Sequence, residues 1–98
     1  MKINLDQEFK ALNGETMKST DGSVTLRSIC TEALLNVTPE EKLTGEEKAK
    51  RYKLANDIFN SKDEDFEMQI EDVALLKRLV GELFTPIIVG QAFSFFEK

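Results

Sequence analysis

The sequence has no histidine and a single cysteine. Without histidine, the side chain most often used as general base and metal ligand is missing. The lone thiol, Cys30, excludes an internal disulfide framework and suits a reducing compartment. At helical spacing from Ile29 and Ala33, it reads as a packed thiol rather than a nucleophile. No paired-cysteine zinc spacing, glycine-rich phosphate loop or nucleophile elbow occurs. An enzyme would have to work with carboxylates and lysines on helix surfaces, so no catalytic residue, cofactor or metal is expected. Long apolar runs are also missing: Leu83 to Phe96, the most apolar stretch, is shorter than the ~20 residues that cross a bilayer and contains Pro86, Gly90 and Gln91. The opening "MKINLDQEF" lacks the apolar centre of a secretory leader. These absences predict a cytoplasmic chain with no membrane contact.

What is present fits one domain over residues 1–98. Hydrophobic residues make up 41% and charged residues 32%, a globular rather than a disordered balance. The net charge is −5, but Asp63, Glu64, Asp65, Glu67, Glu71 and Asp72 contribute −6, leaving +1 for everything else. The chain is a nearly neutral body with one acidic segment, and Asp63, Glu64, Asp65 and Glu67 form its candidate acidic patch. A uniform acidic surface would have suggested mimicry of nucleic acid; a local cluster does not.

Local signals outline an α+β fold. Asn13-Gly14 predicts a type I′ hairpin between strands near 8–12 and 15–18, and "TDGS" at 20–23 predicts a second turn. Thr25 reads as the N-cap of a first helix, with Val24 and Ile29 at staple spacing. Leu26, Ile29, Cys30, Ala33, Leu34 and Val37 form its buried face. "TPEEK" at 38–42 predicts a single turn. Thr44 with Glu47 is a capping box for a second helix over about 45–60, with Ala49, Tyr52, Ala55, Ile58 and Phe59 inward. Alternation of Phe66, Met68 and Ile70 with Glu67 and Gln69 predicts a strand that joins the hairpin in a small three-stranded antiparallel sheet. A third helix, about 71–84, buries Val73, Leu76, Leu79, Val80 and Leu83, with Glu71 and Asp72 at the positive end of its dipole. Thr85-Pro86 opens a fourth, about 86–97.

Three stretches carry a resemblance: "TLRSICTEALL", "LTGEEKAKRYKLANDIF" and "VALLKRLVGELFTPIIVGQAFSFFE". They resemble small proteins encoded by bacteriophages and prophages, over most of the chain from Thr25 onwards. The resemblance implies a viral or prophage origin and a bacterial host cytoplasm. It carries no catalytic or binding signature and transfers no site residue.

Three features invite a functional reading. An EF-hand loop beginning at Asn60 would place Lys62 at a ligand position and Asp65 where glycine belongs, so calcium binding fails twice. "EEKAKRYK" at 46–53 sets Lys48, Lys50, Arg51 and Lys53 around Tyr52, a pattern that can grip a nucleic-acid backbone. Against it, Glu46→Lys50 and Glu47→Arg51 are i,i+4 pairs in the favourable order. Finally, Ile87, Ile88, Val89, Ala92, Phe93, Phe95 and Phe96 cover more than one face of the last helix, leaving Gln91, Ser94 and Glu97 as a thin polar seam. Either the first and third helices enclose that helix, or part of it docks on another chain.

The expectation is therefore a non-enzymatic protein–protein interaction module of phage type, a host-factor inhibitor or an assembly component. It would bind through Ile88, Phe93, Phe95 and Phe96 to a second copy of itself, a host protein or a virion protein, and a homo-oligomer is the first expectation. The alternative is a nucleic-acid accessory protein using Lys48, Lys50, Arg51 and Lys53.

Overall fold

Helix starts follow the capping residues closely. A computed structural model describes residues 1–20, 22–38, 40–62 and 65–97. In chain order the elements are β1 (Lys2–Asn4), β2 (Lys18–Ser19), β3 (Gly22–Ser23), α1 (Leu26–Leu35), α2 (Gly45–Asn60), β4 (Asp65–Glu67), α3 (Ile70–Leu83) and α4 (Pro86–Phe96). The fold is α+β.

The first turn of α1 is satisfied from two directions. Ser28 N–H donates to the Thr25 hydroxyl, and Thr25 N–H donates back to Ser28 Oγ at 3.1 Å, a capping box with serine in the third position. Leu26 and Arg27 N–H groups, unpaired in any isolated helix, donate to Gln7 O at 2.9 Å and Leu5 O at 2.8 Å. The N-terminal segment is thereby fastened across the start of α1, with Leu5 and Phe9 fully buried beneath it. Thr44 and Glu47 form the expected capping box on α2. Glu71 and Asp72 occupy the first turn of α3. Pro86 takes the first position of α4, where its missing N–H has no cost, but the Thr85 hydroxyl makes no capping bond.

The sheet differs from the expected three strands. β4 pairs antiparallel with β1, Ile3 opposite Phe66, while β2 and β3 pair only with each other. The amino terminus reinforces the first pair: its ammonium donates to Met68 O at 2.9 Å, and Met68 N–H donates to Met1 O at 2.7 Å. The Asn13-Gly14 turn is not type I′ either. Gly14 has φ +88°, but no residue other than glycine is left-handed among the described residues, so Asn13 cannot supply the second positive φ that type I′ needs. Ala11 and Glu15 instead bracket a three-residue loop: Ala11 N–H donates to Glu15 O, Gly14 N–H donates to Ala11 O, and the Asn13 side chain accepts from Glu15 N–H. A single bridge, Lys10 to Thr16, is all that remains of the first hairpin's strands.

Helix packing is layered. α1 lies between α2 and α3, and α4 packs on α3 and reaches β1. Leu26, Ile29, Cys30, Ala33 and Leu34 of α1 meet Ala55 and Ile58 of α2 and Val73, Leu76, Leu79 and Val80 of α3 in one continuous core. Five inward expectations fail. Val37 lies beyond the end of α1 and is exposed, and Ile70 is exposed because the strand stops at Glu67 and the residue begins a helix. Ala49, Tyr52 and Phe59 of α2 are exposed, and Arg51 takes the buried position beside Ala55 and Ile58.

Candidate functional site

The phenylalanine-rich helix belongs to the chain's own core. Ile88 and Phe96 are buried, together with Ala92 between them. Phe93 and Phe95 are half-buried rather than free: the Phe95 ring meets Phe9 edge-on with centroids 5.1 Å apart, and the Lys77 ammonium stands 5.6 Å from the Phe93 centroid. Gln91 is also engaged. Its amide accepts from Lys10 N–H and donates to Lys10 O, both at 2.8 Å, pairing with the chain as a neighbouring strand would. The N-terminal segment, not anticipated as a neighbour of α4, covers part of the helix. The surface expected from Ile88, Phe93, Phe95 and Phe96 is therefore corrected: two of the four face inward, and the other two touch their own chain.

Arg51 is removed from the nucleic-acid reading by burial. At 5% exposure it is the single buried charged residue among those described. Its Nε donates to Leu34 O at 3.2 Å, its Nη2 to Ala33 O and Asn36 O at 3.3 Å, and its Nη1 to Glu41 Oε2 at 2.7 Å. The expected partner, Glu47, is occupied with Thr44 in the capping box. Lys48, Lys50 and Lys53 remain on the surface, Lys50 and Lys53 one turn apart and Lys48 on another side of α2. Lys48 stands beside Leu35, Val37 and Tyr52. Lys50 borders a cleft of about 260 Å³ with Glu47, Glu71, Asp72 and Arg78. Lys53 lies 3.5 Å from Asp57. Two neighbouring lysines already beside carboxylates, with Lys48 on another side of the helix, do not make a phosphate track.

The acidic segment divides in a similar way. Asp63 and Glu64 lie outside the described residues. Asp65 and Glu67 are exposed on β4, with Glu67 Oε1 3.4 Å from the amino terminus, and Glu71 and Asp72 face the cleft that holds Lys50 and Arg78. Among the described residues no three His, Cys, Asp or Glu side chains gather where a metal ion could sit. Cys30 is buried, and that burial pushes its thiol up from 9.0 to about 12. It remains a protonated, enclosed thiol with no feature of a nucleophile.

A surface that sequence periodicity assigned to the core is the most distinctive one exposed. Phe59 is 62% exposed, Tyr52 63%, Leu35 54% and Val37 42%. They are contiguous. Leu35, Tyr52 and Phe59 surround an apolar groove of about 240 Å³ floored by Thr31 and Ala55. Leu35 and Tyr52 also border the next hollow with Val37 and Lys48, and Phe59 and Thr31 border another with Val24, Ile29, Ser28 and Glu32. The result is an apolar stripe along the outer seam of α1 and α2. The signal that could have found it is the i, i+4, i+7 column Arg51–Ala55–Ile58, which turns Tyr52 and Phe59 outward once arginine is admitted to the buried face.

No family model matches the chain, and no curated protein or solved structure is similar to it. Function rests on the geometry alone.

Proposed function

We propose that this chain is a small, non-enzymatic protein-interaction module that docks through the α1–α2 seam. The observation that carries the reading is the exposed stripe of Leu35, Val37, Tyr52 and Phe59. Contiguous apolar surface rimmed by polar groups is characteristic of interaction sites on soluble domains. Burying one such side chain against a partner contributes about 1.5–3 kcal/mol, and tyrosine and phenylalanine are enriched at interface cores. No helix among the described residues is long and apolar enough to cross a membrane, so a lipid-spanning role does not compete for this surface. The sequence resemblance supports a phage or prophage origin and a bacterial cytoplasm as the place of action, where a host-factor inhibitor and an assembly component both use this mode of binding.

The test compares wild type with Tyr52→Glu and Phe59→Glu. Both positions are exposed, so the variants should keep the fold, judged by far-ultraviolet circular dichroism. Tagged wild-type protein should form a nuclease-resistant complex, with itself or with a bacterial or viral protein, that both variants lose. A wild type that stays monomeric and recovers nothing beyond what the variants recover would end this reading.

A further inference from the structure

We infer that the outer edge of β4 takes up an extended basic segment of another protein as a third strand of the β1–β4 sheet. This goes beyond the α1–α2 seam and uses a different surface. It comes from the pairing register. Met68 N–H donates to Met1 O, and the amino terminus donates to Met68 O. Ile3 opposite Phe66 continues the same antiparallel register two residues further on. Hydrogen-bonded and non-hydrogen-bonded pairs alternate along such a ladder. Ile3 and Phe66 therefore bond each other, while Glu67 opposite Lys2 and Asp65 opposite Asn4 do not. The N–H and C=O groups of Asp65 and Glu67 point away from β1 instead. No third strand lies there: the sheet has two strands, and no backbone partner for Asp65 or Glu67 occurs on that side among the described residues.

Side-chain positions determine what the edge accepts. Phe66 is half-buried against the core, so Asp65 and Glu67, its neighbours at period two, stand exposed on the outer face. Glu67 has the amino terminus 3.4 Å away and Lys2 opposite. Asp65 faces only Asn4 and forms no ion pair among the described residues. A second copy is refused here. Pairing two β4 edges would set the Asp65 and Glu67 of each against those of the other, and like charges opposite one another destabilise a sheet. The same acids favour a strand that carries lysine or arginine, because residues paired with Asp65 and Glu67 share their face. The residue between those two bases lies on the face of Phe66, where an apolar side chain packs beside the ring. The ligand is thus an extended segment alternating basic, apolar and basic residues. Main-chain hydrogen bonds along the edge hold it, and the charges beside them choose it.

The test uses a defined probe, a short end-capped peptide alternating lysine and valine, titrated to about 1 mM at low salt and followed by nuclear magnetic resonance. In the free chain the Asp65 and Glu67 amides should exchange rapidly with solvent, and bound peptide should slow both about tenfold or more. Methylating the main-chain nitrogens of the peptide's lysines keeps every charge but removes the donors aimed at β4, so that peptide should not bind. A counterpart alternating glutamate and valine should not bind either. Asp65→Lys should raise the peptide's dissociation constant about tenfold or more, and Tyr52→Glu should leave it unchanged. Asp65 is exposed and lies outside the Ile3–Phe66 hydrogen bonds, so its reversal does not threaten the fold. No binding by about 1 mM overturns the inference. Binding kept by the methylated peptide overturns it too, since charge alone would then suffice, as does bound peptide that leaves exchange at Asp65 and Glu67 unchanged. Binding lost in Tyr52→Glu but kept in Asp65→Lys would assign the peptide to the α1–α2 seam, so that the edge fails and the docking surface stands.

Discussion

Arg27 and Arg51 each hold the end of the helix that carries the other. Arg51, on α2, donates to Ala33 O, Leu34 O and Asn36 O at the end of α1; Arg27, on α1, donates to Ile58 O and Ser61 O at the end of α2. Neither helix has a basic residue in its own last turn. The cation that complements each negative helix end is supplied from across the seam. The two arginines thus fix the antiparallel alignment and registry of α1 and α2, on which the outward stripe of Tyr52, Phe59 and Leu35 depends. Each also anchors a connecting segment through a carboxylate, Glu41 for Arg51 at 2.7 Å and Asp6 for Arg27 at 3.2 Å.

The first prediction follows from that relationship. Arg51→Met should destabilise the fold by about 3–5 kcal/mol, because it strands a mostly buried Glu41 carboxylate and several helix-end carbonyls. Adding Glu41→Leu should recover part of the loss, since an uncompensated buried charge is then removed. Arg51→Lys should recover little, because an ammonium cannot present the planar fork that serves four acceptors. Arg27→Met should cost less, as Asp6 is half-exposed and water can replace its partner. Urea denaturation with unchanged m-values measures all four; a loss below about 1 kcal/mol for Arg51→Met would remove arginine capping as a determinant of the fold.

A second prediction separates the two sets of aromatics. Phe96→Ala should cost about 3–5 kcal/mol, the usual range for a fully buried phenylalanine. Tyr52→Ala and Phe59→Ala should each change stability by about 0.5 kcal/mol or less, as surface substitutions do. Paired Phe93→Asp and Phe96→Asp substitutions should abolish cooperative thermal unfolding rather than release a folded, smaller species. Melting curves of dilute protein that rank these variants the other way would return α4 to the surface.

How much could be read in advance varied with the range of the interaction. Thr25, Thr44, Glu47 and Pro86 marked helix starts because capping is decided within a few residues. The long-range pairings were not legible. Nothing local to Ile3 or Phe66 specifies that β1 and β4 meet, and nothing near Gln91 indicates that its amide will pair with Lys10. The exposed apolar stripe was missed for a further reason. Two sets of apolar residues on α2, Ala55 with Ile58 and Tyr52 with Phe59, both recur at helical spacing, and the choice between them is made by Arg51. An arginine enters a buried face only when helix-end carbonyls wait there to accept its donors, a fact held by α1 and invisible in α2.

A third prediction concerns nucleic acid. With Arg51 buried, Lys53 beside Asp57, and Lys50 sharing its cleft with Glu47, Glu71 and Asp72, the chain should show no measurable retention on single-stranded or duplex DNA at about 100 mM salt. The clean variant is Lys50→Glu, because Arg51→Glu would unfold the protein and lose any binding for the wrong reason. Binding that weakens steeply with salt and disappears in Lys50→Glu would instead support the basic helix.

The last prediction uses Cys30 as a reporter of the same core. Burial raises its thiol from 9.0 to about 12 in the folded chain, so below pH 9 it is protonated in both states and contributes no pH dependence. Above pH 9 the unfolded chain releases the proton while the folded chain keeps it, and the native state then binds more protons than the unfolded one. Stability must therefore fall as pH rises from about 9 towards 12, with a limiting slope of about 1.4 kcal/mol per pH unit from this group. Cys30→Ala should remove that component of the decline while costing stability at neutral pH through the lost sulfur packing. Native-state labelling supplies the kinetic counterpart. At pH 8 an aromatic disulfide reagent should modify Cys30 only as fast as the helices open, so Arg51→Met should speed labelling and Tyr52→Glu should leave it unchanged. Rapid modification of the wild-type thiol, insensitive to Arg51→Met, would mean that the layer between α1 and α3 is not closed around it.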